Sequence, residues 1–389
     1  MLRRRALLVV LAICAVLIAA GYAATPYARA AALIVRAANM GGRAEAFADR
    51  YARTVTIERG HRVPTRYGDI PARFYRPEGG SRRSTLLVPG IHSMGVDEPR
   101  LKALAHDLAG SGITVMTIAL PDLVHYQITP QSSDVIEDAV RWMTSQPDLA
   151  PDGLVGMMGI SFAGGLSIVA AGRPAIRDRV AFVMSFGGHG DLPRTLKYLV
   201  TGEPPQVPGL EIPPPHDYGV AVISYAGADR IVPPEQMQPL RDGIGTFLLA
   251  SQLTLVDMDQ ANATFAKARE MVKTLPEPSA TYLTWVNDRN VKKLGPLLAP
   301  HVAAFSSDPA ASAERAPNPP AAPVYLLHGA GDTVIPTAES VLLADYLRKK
   351  GVDVHLLLSK LITHAEIDKS AAASEMWKLD AFWASILRQ

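Results

Sequence analysis

The chain has 389 residues, 48% of them hydrophobic, which is enough for one large or two ordinary domains with a substantial core. Thirty-nine Lys and Arg stand against 37 Asp and Glu, and the net charge of +2 supplies no broad basic face of the kind that nucleic acid requires. A single cysteine, Cys14, excludes an intrachain disulfide and a cysteine-based metal cluster.

At the N-terminus, "MLRRR" precedes "ALLVVLAICAVLIAA", a run without a charged side chain, and small residues continue to Ala24 before Pro26. A cleaved signal has an apolar region of about 7 to 15 residues and a small-residue site, and "ARA" at 28–30 fits one. A spanning helix needs about 20 residues. The apolar stretch from Ala6 to Ala24 approaches that length, so segment 1–26 is expected to be an uncleaved membrane anchor or a signal segment. Arg3, Arg4 and Arg5 would then stay in the cytoplasm and the rest would be extracytoplasmic, secreted or periplasmic if the segment is cleaved. Ile13 stands where lipidation of Cys14 needs a small residue, which argues against a lipoprotein.

After a helix-prone, Ala-rich stretch at 27–52, "TVTIERGHRVPTRYGDIPARFYRP" alternates and breaks at Gly and Pro like an antiparallel hairpin. From Ser84 the texture changes. "STLLVPGI" is a short apolar run, and "PRLKALAHDLAGSG" puts Leu101, Leu104, Ala105 and Leu108 on one helical face. "ITVMTIALPD" reads as the next strand. A helix near 134–146 follows, with Asp134 and Glu137 in the spacing of a capping box. "GLVGMMGIS", a helix from Phe162 and "RVAFVMSFGG" complete the first half. Apolar strands alternating with helices predict a mostly parallel, doubly wound α/β sheet covered on both faces.

The alternation stops near Asp191 and resumes at Pro323 with "PVYLLHGAGDTVIP", a helix, the strand "DVHLLLSKL" and a closing helix. Residues 53–190 and 323–389 are thus expected to form the two parts of one core. Residues 191–322, helical in texture and ending in the Ala/Pro-rich linker "SSDPAASAERAPNPPAAP", are expected to form a cap over the C-terminal edge of the sheet.

Ser161, in "GLVGMMGISFAGGL", stands between a buried-looking strand and a sharp turn. A turn built for geometry alone would be served as well by Asn or Asp. A reactive hydroxyl there is one reading, and a structural strand-to-helix turn is the other. The stretch resembles the nucleophile elbow G-x-S-x-G of the α/β-hydrolase superfamily, with Gly159 two residues before the serine and Ala163 in place of the last glycine. The resemblance covers roughly residues 65–190 and 320–389. It implies an acid after a later strand and a histidine after the last one. Asp332 in "LLHGAGDTVIP" and His364 in "LLLSKLITHAEI" occupy those places, although a turn-forming Asp and a locally bonded loop His are the plainer readings. The roles implied are nucleophile for Ser161, base for His364 and orienting carboxylate for Asp332. The resemblance also implies an oxyanion hole from the backbone N–H groups of Phe162 and of Ile91 in "VPGIHSMG".

"VISYAGADRIVPP" imitates the acid-bearing segment, but no strand and histidine follow Asp229 at a suitable distance, so Asp229 is read as a helix end in the cap. His328 reads as structural. His92 is read as a solvated loop residue or a pocket residue. Tyr282 and Trp285 in the cap suggest either an apolar acyl site or the cap's own core.

The expected activity is hydrolysis of carboxylic esters by a serine hydrolase with a small-molecule ester or acyl substrate. An acyltransferase using the same acyl-enzyme and a membrane-tethered, non-catalytic ligand-binding protein are the alternatives. No metal or other cofactor is expected, since the ten histidines show no paired ligand spacing and no phosphate loop is present.

Overall fold

The computed structural model describes residue 21 and residues 23–254, 256–362 and 373–389. Its eight strands are β1 (Val55–Val63), β2 (Ile70–Pro77), β3 (Ser84–Val88), β4 (Thr114–Ile118), β5 (Val155–Ile160), β6 (Val180–Phe186), β7 (Val324–Gly329) and β8 (Val354–Ser359). They form one sheet in the order β1-β2-β4-β3-β5-β6-β7-β8. Strand β2 runs antiparallel to both of its neighbours, and every other pair is parallel. Strands β3, β4 and β7 are buried at every position, which is why they read as unbroken apolar runs instead of alternating ones.

Helices cover both faces. Helices Pro130–Thr144, Phe162–Ala171 and Ala338–Lys349 contribute to one apolar cluster. The helix over 23–37, Pro99–Gly110 and Ala373–Ile386 contribute to the other. The Ala-rich stretch near the N-terminus is two helices, 23–37 and Gly42–Tyr51, separated at Asn39, which adopts a positive φ of 48°. Helix Pro130–Thr144 starts earlier than the capping-box spacing predicts. Thr129 caps it by accepting from Gln131 N–H at 3.2 Å, and Pro130 presets its first turn. Asp134 and Glu137 face Arg66 and Arg173 instead, a pairing invisible in local spacing.

The membrane-anchored, extracytoplasmic location and the membrane contact expected from segment 1–26 are overturned: among the described residues no helix is long and apolar enough to cross a bilayer. Residues 1–20 and 22, which include Cys14 and most of the apolar run, lie outside the described residues. The chain that follows belongs to the core. Ala30, Leu33 and Ile34 are buried in one cluster with Leu101, Leu108 and Trp383.

Between β6 and β7 the described residues form helices and loops, among them Asp217–Ala226 and Pro234–Leu253. The Ala/Pro-rich stretch before β7 is not a loose linker, because Ala311, Ala313 and Ala316 are buried in the larger cluster. An ion network fastens it. Arg194 reaches Glu339 at 2.7 Å and Glu314 at 2.6 Å, and Arg315 pairs with Asp191 at 2.6 Å. Glu339, fully buried, also accepts the N–H groups of Gly190 and Asp191, each at 3.0 Å.

Candidate active site

Ser161 follows β5 and caps the helix Phe162–Ala171 with φ 56° and ψ −133°, a conformation that non-glycine residues avoid. Two main-chain bonds hold it there: its N–H donates to Phe186 O at 2.7 Å, and its carbonyl accepts from Gly164 N–H at 2.8 Å. The turn is tight enough to exclude side chains beside it. A Cβ on Gly159 would lie 2.6 Å from Ser167 Oγ and would overlap the Ala163 carbonyl. On Gly164 it would overlap Ser185 Oγ. Ala163 is tolerated because the close approach of this helix to β6 falls on Gly164, one residue further on.

Asp332 lies beyond β7 and is buried. Its Oδ1 accepts the N–H groups of Val334 at 2.8 Å and Ile335 at 3.0 Å. A Cβ on Gly187, directly after β6, would lie 3.3 Å from Asp332 Oδ2. The same bend therefore meets both residues, Ser161 through Phe186 O and Asp332 through the bare Cα of Gly187. His328 is fully buried, with Nδ1 2.7 Å from Ser340 Oγ and Nε2 2.9 Å from Ile335 O and 3.4 Å from Asp332 Oδ2, so it braces the acid loop. His364 lies outside the described residues.

The loop after β3 rests on the bend. A Cβ on Gly90 would sit 3.2 Å from Ser161 Cβ. Ile91, next in the chain, lines the same cavity as Phe162, and no backbone acceptor takes its N–H among the described residues. Phe162 opens its helix, so its N–H has no intrahelical partner. His92 is buried rather than solvated. Its Nδ1 accepts from Met94 N–H at 3.2 Å, which leaves the ring proton on Nε2. Burial holds its pKa below the usual histidine value, opposed by the nearby Glu98 carboxylate.

The cavity has a volume of about 810 Å³. Ser161, Phe162, Ile91 and His92 line one part of it, and Leu196, Leu199, Val222, Ile223 and Phe305 line another. Leu33 and Ile34 of the N-terminal helix add a further wall. Tyr282 and Trp285 do not line it. They lie against each other, ring centroids 5.4 Å apart, and pack on the larger core cluster. Asp229 falls in the short helix Ala228–Ile231, where it pairs with Arg230 at 3.1 Å. Sequence reasoning misses Tyr126, Tyr218 and Gln252, which line the cavity and are joined by hydrogen bonds. No motif marks them, because their meeting is set by packing between distant segments. Among the described residues no cluster of His, Cys, Asp and Glu is placed to hold a metal ion.

No family model matches the chain, and no curated protein matches it. Among solved structures it is similar to the Pyrobaculum calidifontis esterase, at 16% identity and a TM-score of 0.44, over 93% of this chain and 90% of that one. It is also similar to a thermophilic carboxylesterase cloned from a metagenomic library, at 13% identity and a TM-score of 0.46, over 86% of this chain and 90% of that one. A carboxyl esterase 2 from the mycorrhizal fungus Tuber melanosporum matches at 13% identity and a TM-score of 0.46, over 86% and 88% of the two chains. With one antiparallel strand second from the edge, a parallel sheet beyond it and a strained serine between β5 and the following helix, the chain has the α/β-hydrolase fold.

Proposed function

We propose that this protein is a serine hydrolase that cleaves carboxylic esters of small molecules. Residues 191–322 act as a helical cap over the site in this reading. Ser161 Oγ attacks the ester carbonyl while a neutral His364 imidazole takes its proton, and Asp332 fixes the ring's tautomer and stabilises the imidazolium. The N–H groups of Ile91 and Phe162 receive the oxyanion. Collapse of the tetrahedral intermediate expels the alcohol, protonated by His364, and leaves the acyl group on Ser161. Water, deprotonated by the same histidine, then releases the acid.

The observation that carries this reading is Ser161 at φ 56° in the wall of a largely apolar cavity, with the Gly90 loop against it. A serine kept in a costly backbone conformation by two main-chain bonds marks a functional bend more than a structural turn. The test is labelling with a fluorophosphonate probe together with turnover of chromogenic esters of increasing acyl length. Both signals are expected in the wild type and both should vanish in Ser161→Ala. Folded wild-type protein that neither labels nor turns over any ester would overturn the reading.

A further inference from the structure

Tyr218 lies in the helix Asp217–Ala226 on the part of the cavity wall that the cap contributes. Gln252, near the end of the helix Pro234–Leu253, donates from Nε2 to the Tyr218 hydroxyl oxygen at 3.0 Å. Its Oε1 accepts from two hydroxyls of the core, Ser93 Oγ and Tyr126 OH, each at 3.3 Å. The amide is thus placed with Oε1 toward Ser93 and Tyr126 and Nε2 toward Tyr218. Tyr126 is itself held at φ 56°, and its ring meets Tyr225 edge-on at 5.4 Å, so this core hydroxyl is locked in place.

The consequence falls on one proton. The Tyr218 oxygen already receives a hydrogen bond, and among the described residues no protein acceptor takes its O–H. Burial pushes the phenol's pKa up, with Tyr126 adding to the effect, so the group stays a donor through neutral pH. On the same helix Gly219, Val222 and Ile223 add apolar wall. A ligand made only of hydrocarbon strands this donor, and a ligand with an oxygen at that place satisfies it.

We propose that the Tyr218 hydroxyl is a specificity-determining donor that selects substrates carrying a second oxygen acceptor, a carbonyl or hydroxyl away from the scissile bond. Gln252 is its positioning residue, tied to the core through Ser93 and Tyr126. The inference rests on the ester-hydrolase reading and narrows it from simple alkyl esters to oxygen-bearing ones.

The experiment needs no turnover. Equilibrium binding to Ser161→Ala is measured for pairs of esters of equal length, one plain and one with a single chain methylene replaced by a keto carbonyl, the replacement being moved along the chain. The ratio of the two dissociation constants is then compared with that in Ser161→Ala/Tyr218→Phe. At one or more positions the second substitution should lower the preference for the keto ligand by about 5- to 10-fold, the worth of one net hydrogen bond. Gln252→Leu on the same background should shift the ratio in the same direction, which guards against a folding defect peculiar to the Tyr218 variant. If the ratio stays within about twofold at every position in both variants, the proposal is overturned. Phosphonate labelling of Ser161 in the wild type judges the hydrolase reading separately.

Discussion

A Cβ on Gly90 would lie 3.2 Å from the Cβ of Ser161 and 3.4 Å from the carbonyl oxygen of Ile160. The loop that follows β3 and the bend that follows β5 are thus in contact at a position where only hydrogen fits comfortably. Gly90→Ala should displace the loop by a few tenths of an ångström, and with it the N–H of Ile91. We expect kcat for ester hydrolysis to fall about 10- to 100-fold, the usual cost of a misplaced oxyanion donor. Thermal stability should change little, since both segments can move apart. Steady-state kinetics with one chromogenic ester checks this, and an unchanged kcat removes Ile91 from the proposed oxyanion hole.

Gly164 is a different case because its neighbours cannot yield. A methyl there meets Ser185 Oγ of β6 and also Gly188 Cα at 3.1 Å. Gly164→Ala should destabilise the fold by about 1–3 kcal/mol, the cost of overpacking a close helix-to-sheet contact. Urea denaturation of the two proteins gives the difference directly.

The buried Glu339 carboxylate is held by Arg194 and two main-chain N–H groups. Removing its charge leaves Glu314 as the carboxylate partner of the guanidinium. Arg194→Met, which strands the fully buried Glu339 carboxylate, is expected to cost about 3–5 kcal/mol, and Glu339→Gln less, because Glu314 still meets the guanidinium. Limited proteolysis should then cut first within residues 307–323, the stretch that this network fastens to the sheet.

Burial drives the pKa of His189 down to about 4, with its Nε2 2.8 Å from Ala311 O. The unfolded chain takes up a proton near pH 6.5 and the folded one only near pH 4. Stability is therefore full above pH 6.5 and is lost as pH falls through the interval down to 4, by about 3 kcal/mol in all. A series of denaturation curves between pH 7 and pH 4, compared with the same series for His189→Leu, isolates the contribution. The variant is expected to lack this part of the slope.

Asp380 carries the opposite sign. Burial raises its pKa to about 6, and its Oδ1 has no hydrogen-bond partner among the described residues. An acid whose folded pKa is raised destabilises the fold above that value and does no harm below its unfolded pKa near 3.8. Asp380→Asn should stabilise the protein at pH 7 by about 1–2 kcal/mol, after allowance for solvent nearby, and the gain should disappear by pH 4. Melting temperatures at the two pH values test it.

Much of the fold was legible because its signals are short-range. The hairpin of β1 and β2, the unbroken apolar strands β3 and β4, and the helices between them follow from periodicity, and the glycines around Ser161 announce a tight bend. Periodicity was less informative about ends: Asp134 and Glu137 imitate a helix start that belongs to Thr129 and Pro130, because their partners Arg66 and Arg173 lie far off in sequence. The Ala/Pro-rich stretch before β7 has the composition of a linker, yet Arg194 and Asp191 give its charged residues partners and bury its alanines.

What the amino-acid order determined by itself was the layering of helix and strand and the position of a serine at the end of a buried strand, since both depend on residues within a few places of one another. What only the tertiary structure decided was which side chains surround that serine. Gly90 over the bend, the N-terminal helix in the cavity wall, and Gln252 aiming Tyr218 between Ser93 and Tyr126 are contacts across 34 to 159 residues of chain. Such contacts leave no periodic trace, because packing and not spacing brings them together.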